Sequence, residues 1–250
     1  MNRKPLNRDV IKLIALLLML GNHIASVFMA PEAPQAILLT DLGYFTAPVM
    51  CYFLVEGFYY THSRKKYGQR LLLFALLSQP SFYLAFYPAH IKLYNYNMIG
   101  TLFLCFLMLC VLESSWDGRS KWLVIFLLYY LGCYGDWAVM AQTFVLIFWR
   151  LHRLQEERRA GFRDQVSSWS AVVLIVGIMN FLNAYLGNAS SKDLLISLGS
   201  MSGPLLAAIC ILFFYNGEQM ARGRIFLKWF NYIFYPAHLL VLGLIRIGLG

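Results

Sequence analysis

The sequence predicts an all-α membrane protein: a polytopic bundle of about nine helices, N-terminus in the cytoplasm and C-terminus outside. Three observations predict it. Apolar residues make up 60% of the 250 residues and charged residues 13%, with a mean hydropathy of +0.59. That is more apolar surface than a soluble domain of this length can bury. The apolar residues fall in runs of membrane length. The 21 Lys and Arg fall in short clusters between those runs, so the formal charge of +9 reads as orientation signals and not as a nucleic-acid surface. A single membrane domain over 1–250, embedded in a lipid bilayer and without a nucleic-acid partner, is the expectation.

Nine spans are expected at roughly 10–28, 42–60, 70–87, 97–113, 121–134, 137–150, 169–187, 200–215 and 226–247. The first, Val10 to Phe28, has about 19 residues, which at 1.5 Å each give roughly 28 Å, enough to cross a bilayer core. It follows basic residues, as a secretion signal would, but it is too long for a usual signal core. No small-residue cleavage site precedes Ala30-Pro31-Glu32, so it is expected to be retained. One stripe of this helix differs from the rest: Lys12, Ala15, Met19, Asn22 and Ser26 recur at steps of three and four, with His23 beside Asn22. The opposite surface is nearly all Leu, Ile and Val. An amide and an imidazole deep in a bilayer are costly, so they are expected to face a protein interior or a wet cavity. His23 is then either the edge of a functional site or a packed ring satisfied by neighbouring helices.

Span two carries Pro48 and Glu56, the latter either functional or neutralised, by protonation or by Lys65 or Arg70. Span three contains Ser78-Gln79-Pro80-Ser81, a polar, proline-broken patch expected to be lined by protein. The loop Tyr87 to Asn97 is rich in Tyr and Asn, which suits the interface belt. Spans five and six are short and fit a tight hairpin turning at Gly135-Asp136. Span six opens with Asp136-Trp137 and carries Gln142-Thr143, and span seven carries Asn180 and Asn183. Span eight contains Gly203-Pro204 and ends in Tyr215-Asn216-Gly217-Glu218. Span nine holds Tyr235-Pro236-Ala237-His238. The pentapeptide Phe86-Tyr87-Pro88-Ala89-His90 recurs as Phe234-Tyr235-Pro236-Ala237-His238; the two copies fall at different membrane depths, which argues coincidence and not an inverted repeat.

Orientation follows from the charges. With the N-terminus inside, the inner segments hold Arg3, Lys4, Arg8 and Lys12; Arg64, Lys65, Lys66 and Arg70; Arg119 and Lys121; Arg150, Arg153, Arg158, Arg159 and Arg163; and Arg222, Arg224 and Lys228. The outer segments hold only Lys92, Lys192 and Arg246 of the 21. The bias favours N-in and C-out with nine spans.

His23 lies about two-thirds of the way out along span one, and His238 half-way through span nine. Asp136 stands at the outer end of span six, as a site carboxylate or a loop-end carboxylate in water. Two intramembrane His in one chain are hard to explain by packing alone, since imidazole serves as general base, ligand or proton relay. No metal site is expected, because neither His has a second ligand three to five residues away on its helix. Cys51, Cys105, Cys110, Cys133 and Cys210 lie in or at the ends of apolar spans without a Cys-x-x-Cys pair, and read as small packing residues.

At these residues the chain resembles a known family. Asp9 to Met19, followed by His23, is similar to the first helix of the TraX family of membrane acetyltransferases. Leu54-Val55-Glu56-Gly57-Phe58 with the Arg64 to Arg70 cluster resembles the family's second helix and following loop. Tyr215-Asn216-Gly217-Glu218 resembles the end of its penultimate helix, and Phe234 to Leu239 its last helix. The similarity runs in order over almost the whole chain. The sequence departs from the family pattern twice: Asn22 stands where Asp is usual before the His, and Gly43 to Pro48 lacks the Arg common there.

The resemblance implies an acyltransferase of the bacterial inner membrane. Acetyl-CoA would be the donor, and a pilin N-terminus or a surface glycan the extracytoplasmic acceptor. By the same resemblance His23 would be the catalytic base and Asn22 would orient it, with His238 and Asp136 in the site. The CoA phosphates would meet Lys12, Arg64, Lys65 and Arg70 at the inner face, a charge that the positive-inside rule also explains alone. The alternative class is a non-enzymatic transporter or pilus and envelope assembly partner whose buried His and Asn line a path. The charge pattern makes a direct prediction: cysteines placed at Arg158 and Ala33 in intact cells should be labelled by an impermeant reagent only at Ala33. Labelling at Arg158 would overturn the nine-span orientation.

Overall fold

The computed structural model describes residues 4–87 and 95–249. Its helices are α1 Arg8–Phe28, α2 Pro34–Gly43, α3 Thr46–Tyr60, α4 Arg64–Phe86, α5 Met98–Leu112, α6 Gly118–Gly132, α7 Met140–Glu156, α8 Phe162–Leu186, α9 Ser191–Ser197, α10 Ser202–Ile209 and α11 Arg224–Leu249. A 3-10 turn, Leu198–Met201, joins α9 to α10, and a π-helical turn, Cys210–Phe214, follows α10. Among the described residues there is no strand, only the isolated bridges Leu6 to Tyr215 and Tyr96 to Gly135. Each expected span has its helix. Five stretches are long and apolar enough to cross a membrane: Arg8–Phe28, Pro34–Tyr60, Phe162–Leu186, Asp193–Phe214 and Arg224–Leu249. Lipid offers no hydrogen bonds to an open backbone, and a helix satisfies its own, which is why runs of this composition become helices.

The starts are written locally. Asn7 accepts from the Asp9 and Val10 amides at 3.1 and 3.0 Å, Ser63 from Lys66 at 3.3 Å, Asn97 from Gly100 at 3.1 Å and Asp117 from Ser120 at 3.0 Å. Each satisfies an amide that the first helical turn leaves open.

The chain forms two compact units. The first comprises 4–50 with 153–231. In it α1 buries Ile11, Ala15, Leu16, Met19 and Ala25, and the Thr46 hydroxyl donates to the Ala15 carbonyl at 2.8 Å. Two segments of the first unit, far apart in sequence, are stitched by backbone. The Leu6 amide donates to Phe214 O at 3.0 Å, Asn216 N–H to Leu6 O at 2.9 Å, and Arg8 N–H to Glu218 O at 2.9 Å. The buried Asp9 carboxylate accepts from the Met220 amide at 2.8 Å. Gly217 turns the chain at φ +79°, a conformation costly for a side-chain-bearing residue. Asp9 to Met19 and Tyr215 to Glu218, two segments that carry the family resemblance, thus meet in the fold.

The second unit comprises 51–87, 95–152 and 232–249, with α4 to α6 and the last turns of α11. Phe53, Phe58, Met108, Leu109, Phe144 and Leu239 are fully or almost fully buried. Glu113 accepts from the Tyr59 hydroxyl at 2.8 Å and from the Trp149 indole N–H at 2.7 Å, so this carboxylate is not left bare. In the second unit large apolar side chains stand outward in helical stripes: Leu72, Leu73, Leu76 and Leu77 on α4; Trp122, Leu123, Phe126 and Leu127 on α6; Leu240, Val241, Leu244 and Ile245 on α11. Such stripes are a lipid-facing surface; in water they would be sites of aggregation.

Three expectations change. The loop expected over 30–41 is mostly helix, since α2 begins at Pro34, a residue suited to a first helical position because it has no amide to leave open. Pro80 does not break span three: α4 continues through it to Phe86. The Ser78 hydroxyl donates to Phe74 O at 2.6 Å, and Ser78 and Ser81 are buried, so the patch is lined by protein as expected. The helix expected from residue 137 begins at Met140, after Trp137 and Val139 take positive φ of 59° and 61°. Pro88 to His90 of the repeated pentapeptide, the middle of the Tyr87 to Asn97 loop and Lys92 lie outside the described residues.

Packing on α1 makes the second prediction. Ala15 is 0% and Leu17 65% exposed. Ala15→Phe should lower folded yield in detergent, by overpacking worth about 1–3 kcal/mol, while Leu17→Phe leaves it near wild type. Fluorescence-detected size exclusion reads the difference, and equal yields would mean that the polar stripe is incidental.

Candidate functional site

In the first unit, Asn22 of α1 packs directly on α2. Its amide donates to Thr40 O at 3.4 Å and accepts from the Ser26 hydroxyl at 3.2 Å. A Cβ at Gly43 would lie 2.4 Å from the Asn22 side chain, so only glycine lets the two come together. The two departures from the family pattern, Asn22 and the Gly43 to Pro48 segment, are therefore adjacent. An Asp at 22 would turn a carboxylate oxygen toward the Thr40 carbonyl, and the amide donates there instead. His23 is the next residue round the helix, partly buried. Lys12 lies on the same helix, nearly three turns toward the N-terminus.

Between α2 and α3 the helix breaks at Tyr44 and Phe45. A Cβ at Gly203 would fall 2.4 Å from Asp41 O and 2.6 Å from Phe45 N, so α10 can lie on this break only because residue 203 is glycine. Beside the break is a cavity of about 320 Å³, lined by Ser26, Asp41, Tyr44, Asn180, Ser197 and Ser200 among others. Asn180 had drawn notice in the sequence as a polar residue in span seven. Tyr44 belongs to the Gly43 to Pro48 segment, while Asp41, Ser197 and Ser200 carry no signal in the sequence: Asp41 falls in the expected 30–41 loop, Ser197 before span eight and Ser200 at its first position.

In the second unit the arrangement around the start of α5 and the middle of α11 brings Asp136 and His238 to the two sides of Tyr235. The Met98 amide, at the first position of α5, donates to the Tyr235 hydroxyl at 3.2 Å. Thr101, one turn on, donates to the Asp136 carbonyl at 2.8 Å. The Asp136 amide donates to Tyr96 O at 2.9 Å and the Tyr96 amide to Tyr134 O at 2.8 Å. Asp136 lies within electrostatic reach of Tyr235, and the Tyr235 ring meets the His238 ring edge-on, centroids 5.6 Å apart. His238 is 8% exposed and stacks on Phe234 at 5.0 Å. Its Nδ1 is 2.7 Å from Phe234 O. A carbonyl only accepts, so Nδ1 carries the hydrogen, and in the neutral ring Nε2 is the acceptor nitrogen. The π-systems and the tautomer together define one basic nitrogen.

Polar support surrounds this region. Asn97 donates to Ala75 O at 2.7 Å and to Gln79 Oε1 at 2.6 Å, and Gln79 donates to Asn95 O at 2.6 Å. Gln142 is fully buried, with a Cβ at Gly132 falling 1.6 Å from its amide nitrogen. The basic residues of the Arg64 to Arg70 cluster occupy the first turns of α4, in the second unit. Arg64 and Lys65 are exposed, with the Arg64 guanidinium 4.1 Å from the Phe58 ring centre. Arg70 is partly buried, with its charge in reach of Tyr232. Of the expected site residues, then, Asn22, His23 and Lys12 belong to the first unit, and Asp136, His238, Arg64, Lys65 and Arg70 to the second.

Asp136 lies outside the helices, in the turn between α6 and α7. Burial raises its carboxyl from the ordinary 3.8 to about 6, because the charged form is poorly solvated there. A raised pKa means that the folded state favours the protonated acid. The stability this gives is fully present below pH 3.8 and is lost as pH rises through about 6. Asp136→Asn should therefore raise the thermal midpoint at pH 8 by several degrees, a difference of about 2–3 kcal/mol, and leave it unchanged at pH 4. Midpoints shifted equally at both pH values would show that the ionised carboxylate is not the cause.

Comparison with known proteins comes next to this geometry. The sequence model of the family described as "TraX protein" matches residues 7–246. A relative described as "Probable fimbrial assembly protein FimC", from Dichelobacter nodosus, is 29% identical over 241 residues, 93% of this chain and 92% of its own length. No solved structure matches the chain at a significant level. With the match running through both units and all the helices, this chain belongs to the TraX family.

Proposed function

We propose that the protein is a pilus-related acyltransferase of the bacterial inner membrane, moving an acetyl group from acetyl-CoA to an extracytoplasmic acceptor, a pilin or a surface glycan. The observation that carries the reading is the meeting of Asp136, Tyr235 and His238 in a chain of this family: a carboxyl, a phenol and a ring nitrogen of defined basicity, held in an apolar protein. Family membership, and the relative described as a fimbrial assembly protein, support the link to pili. N-in orientation, from the charge pattern, would bring the Asp136 turn and the C-terminal end of α1 to the outer side, where such an acceptor arrives.

The donor's charge fits the residues present. Arg64 and Lys65 are exposed beside the open amides of the α4 N-terminus, and both features attract phosphate. These two, with Arg70, would hold the CoA phosphates. Acetyl-CoA supplies the activated acyl group, whose carbon–sulfur bond breaks as the bond to the acceptor nitrogen or oxygen forms, the proton shed by the acceptor ending on the thiol. His238 Nε2 would accept that proton in transit. Asp136, a carboxylate above about pH 6, would act on Tyr235 by its charge, the residue whose ring lies against His238. His23, on the first-helix motif, is the second base proposed, with Asn22 holding α1 against α2 beside it.

The experiment is release of free thiol from acetyl-CoA by protein in nanodiscs, with a pilin or glycan acceptor. General bases contribute roughly 10²–10⁴-fold, so His238→Gln or His23→Gln should lose that much while remaining folded, and the rate should climb from pH 5 to 7 with a midpoint near 6. A non-enzymatic assembly role is the second reading, favoured by the relative's description. It is chosen if the protein releases no thiol but His23→Gln or His238→Gln still abolishes surface pili.

A further inference from the structure

We infer that Gln79 of α4 is a positioning residue for Tyr235 and His238, acting through the start of α5. Gln79 is the amide of the Ser78-Gln79-Pro80-Ser81 patch, which takes no part in the proposed chemistry. Its side chain is spent on the residues that lead into α5. Oε1 accepts from the Asn97 backbone amide at 3.1 Å and from Asn97 Nδ2 at 2.6 Å. Nε2 donates to Asn95 O at 2.6 Å. One side chain of α4 thus holds residues 95 and 97 together. A neutral amide offers an acceptor and a donor at one end; a carboxylate offers acceptors only, and an apolar side chain offers neither.

Asn97 passes this hold into the helix. It is fully buried. Its Oδ1 accepts from the Gly100 amide at 3.1 Å, its carbonyl from the Thr101 amide at 3.1 Å, and Nδ2 also donates to Ala75 O at 2.7 Å. With backbone and side chain both committed, Asn97 cannot turn without breaking several bonds at once. An apolar contact would also hold α4 to α5, but it could slide, whereas a satisfied polar network has one geometry. Two contacts leave this start toward the site. The next residue, Met98, has one of the amides that a first helical turn leaves open, and it donates to the Tyr235 hydroxyl at 3.2 Å. Thr101, tied to Asn97 by its own amide, donates to the Asp136 carbonyl at 2.8 Å. Tyr235 is buried, and its ring meets the His238 ring at 5.6 Å. The Gln79 amide therefore sets where the phenol lies against the imidazole. As a statement about acyl transfer this rests on the reading above; as a statement about the place of the Tyr235 hydroxyl it stands alone.

The test compares wild-type protein in nanodiscs with three variants. Gln79→Met keeps the length and removes both polar atoms, Gln79→Glu keeps the acceptor and loses the donor, and Ser78→Ala removes a buried bond made within α4. Hydrogen exchange at the Met98 amide, followed by NMR of methionine-labelled protein, should quicken about tenfold in Gln79→Met, as loss of buried hydrogen bonds makes local opening easier. It should quicken less in Gln79→Glu and stay as in wild type in Ser78→Ala. Thiol release from acetyl-CoA should fall about tenfold in Gln79→Met, in kcat, because a displaced group slows the chemical step. Gln79→Met combined with Tyr235→Phe should be no slower than Tyr235→Phe alone, since both changes act on one hydroxyl. Unchanged Met98 exchange in the folded Gln79 variants overturns the inference, and so do rate effects that multiply in the double variant. If Gln79→Met does not fold, Gln79→Glu carries both measurements. If wild-type protein releases no thiol, acyl transfer falls and Met98 exchange alone decides the role of Gln79. Turnover with unchanged Met98 exchange removes Gln79 and keeps acyl transfer.

Discussion

Every peptide group of this chain that enters hydrocarbon must find its hydrogen bond within the protein, because lipid offers none. The helical runs follow from that, and so do the places where they stop. At the α2–α3 break the Phe45 amide turns back to Leu42 O at 3.1 Å and the Tyr44 amide to Thr40 O at 3.2 Å, so the chain bends without leaving these donors bare. At the other end of the first unit, the Tyr215 to Glu218 segment leaves its π-helical turn and is taken up by Leu6 and Arg8 through backbone bonds. At both places other backbone takes up the irregular stretch.

Close approach is the second consequence. Helices in lipid gain little from hiding apolar surface from one another, and approach depends on fit. Gly43 under Asn22, Gly199 under Asp41 and Gly203 on the α2–α3 break each leave space that a methyl group would fill. Two of them, at Gly199 and Gly203, are made to Asp41 and Tyr44 of the cavity wall. Gly199 in particular leaves the Asp41 carboxylate its room.

In the second unit polar groups are brought together by the ends of elements. The first residue of α5 supplies an amide to Tyr235, the residue one turn later anchors the Asp136 carbonyl, and the turn after α6 pairs with Tyr96. Asp136 keeps its raised pKa because this scaffold withholds water from it. Backbone strain at Trp137 and Val139, both at positive φ, falls in the same turn, where surrounding contacts hold a conformation that costs on the order of 1–3 kcal/mol at each residue.

The sequence by itself determined that this is an all-α membrane chain, because composition and run length are properties of the residues and need no neighbours. It placed the helices of the nine spans, marked Ala15 and Met19 as the inward face of α1 by their spacing, and carried the motifs of the family in order. It could not show that Asn22 answers Thr40 and lies under Gly43, or that Asp9 receives the Met220 amide, since these pairs are far apart in the chain and nothing local announces them. It placed Asp41 in a loop because hydropathy falls there, while the Pro34 start and the cover of α10 make that stretch helix. Only the tertiary structure decided that Asp136 and His238 lie on either side of Tyr235, that His238 Nδ1 meets the Phe234 carbonyl, and that Asp41 lines a cavity. Those facts depend on which helix end meets which, and that is settled by packing across the fold and not by any run of residues.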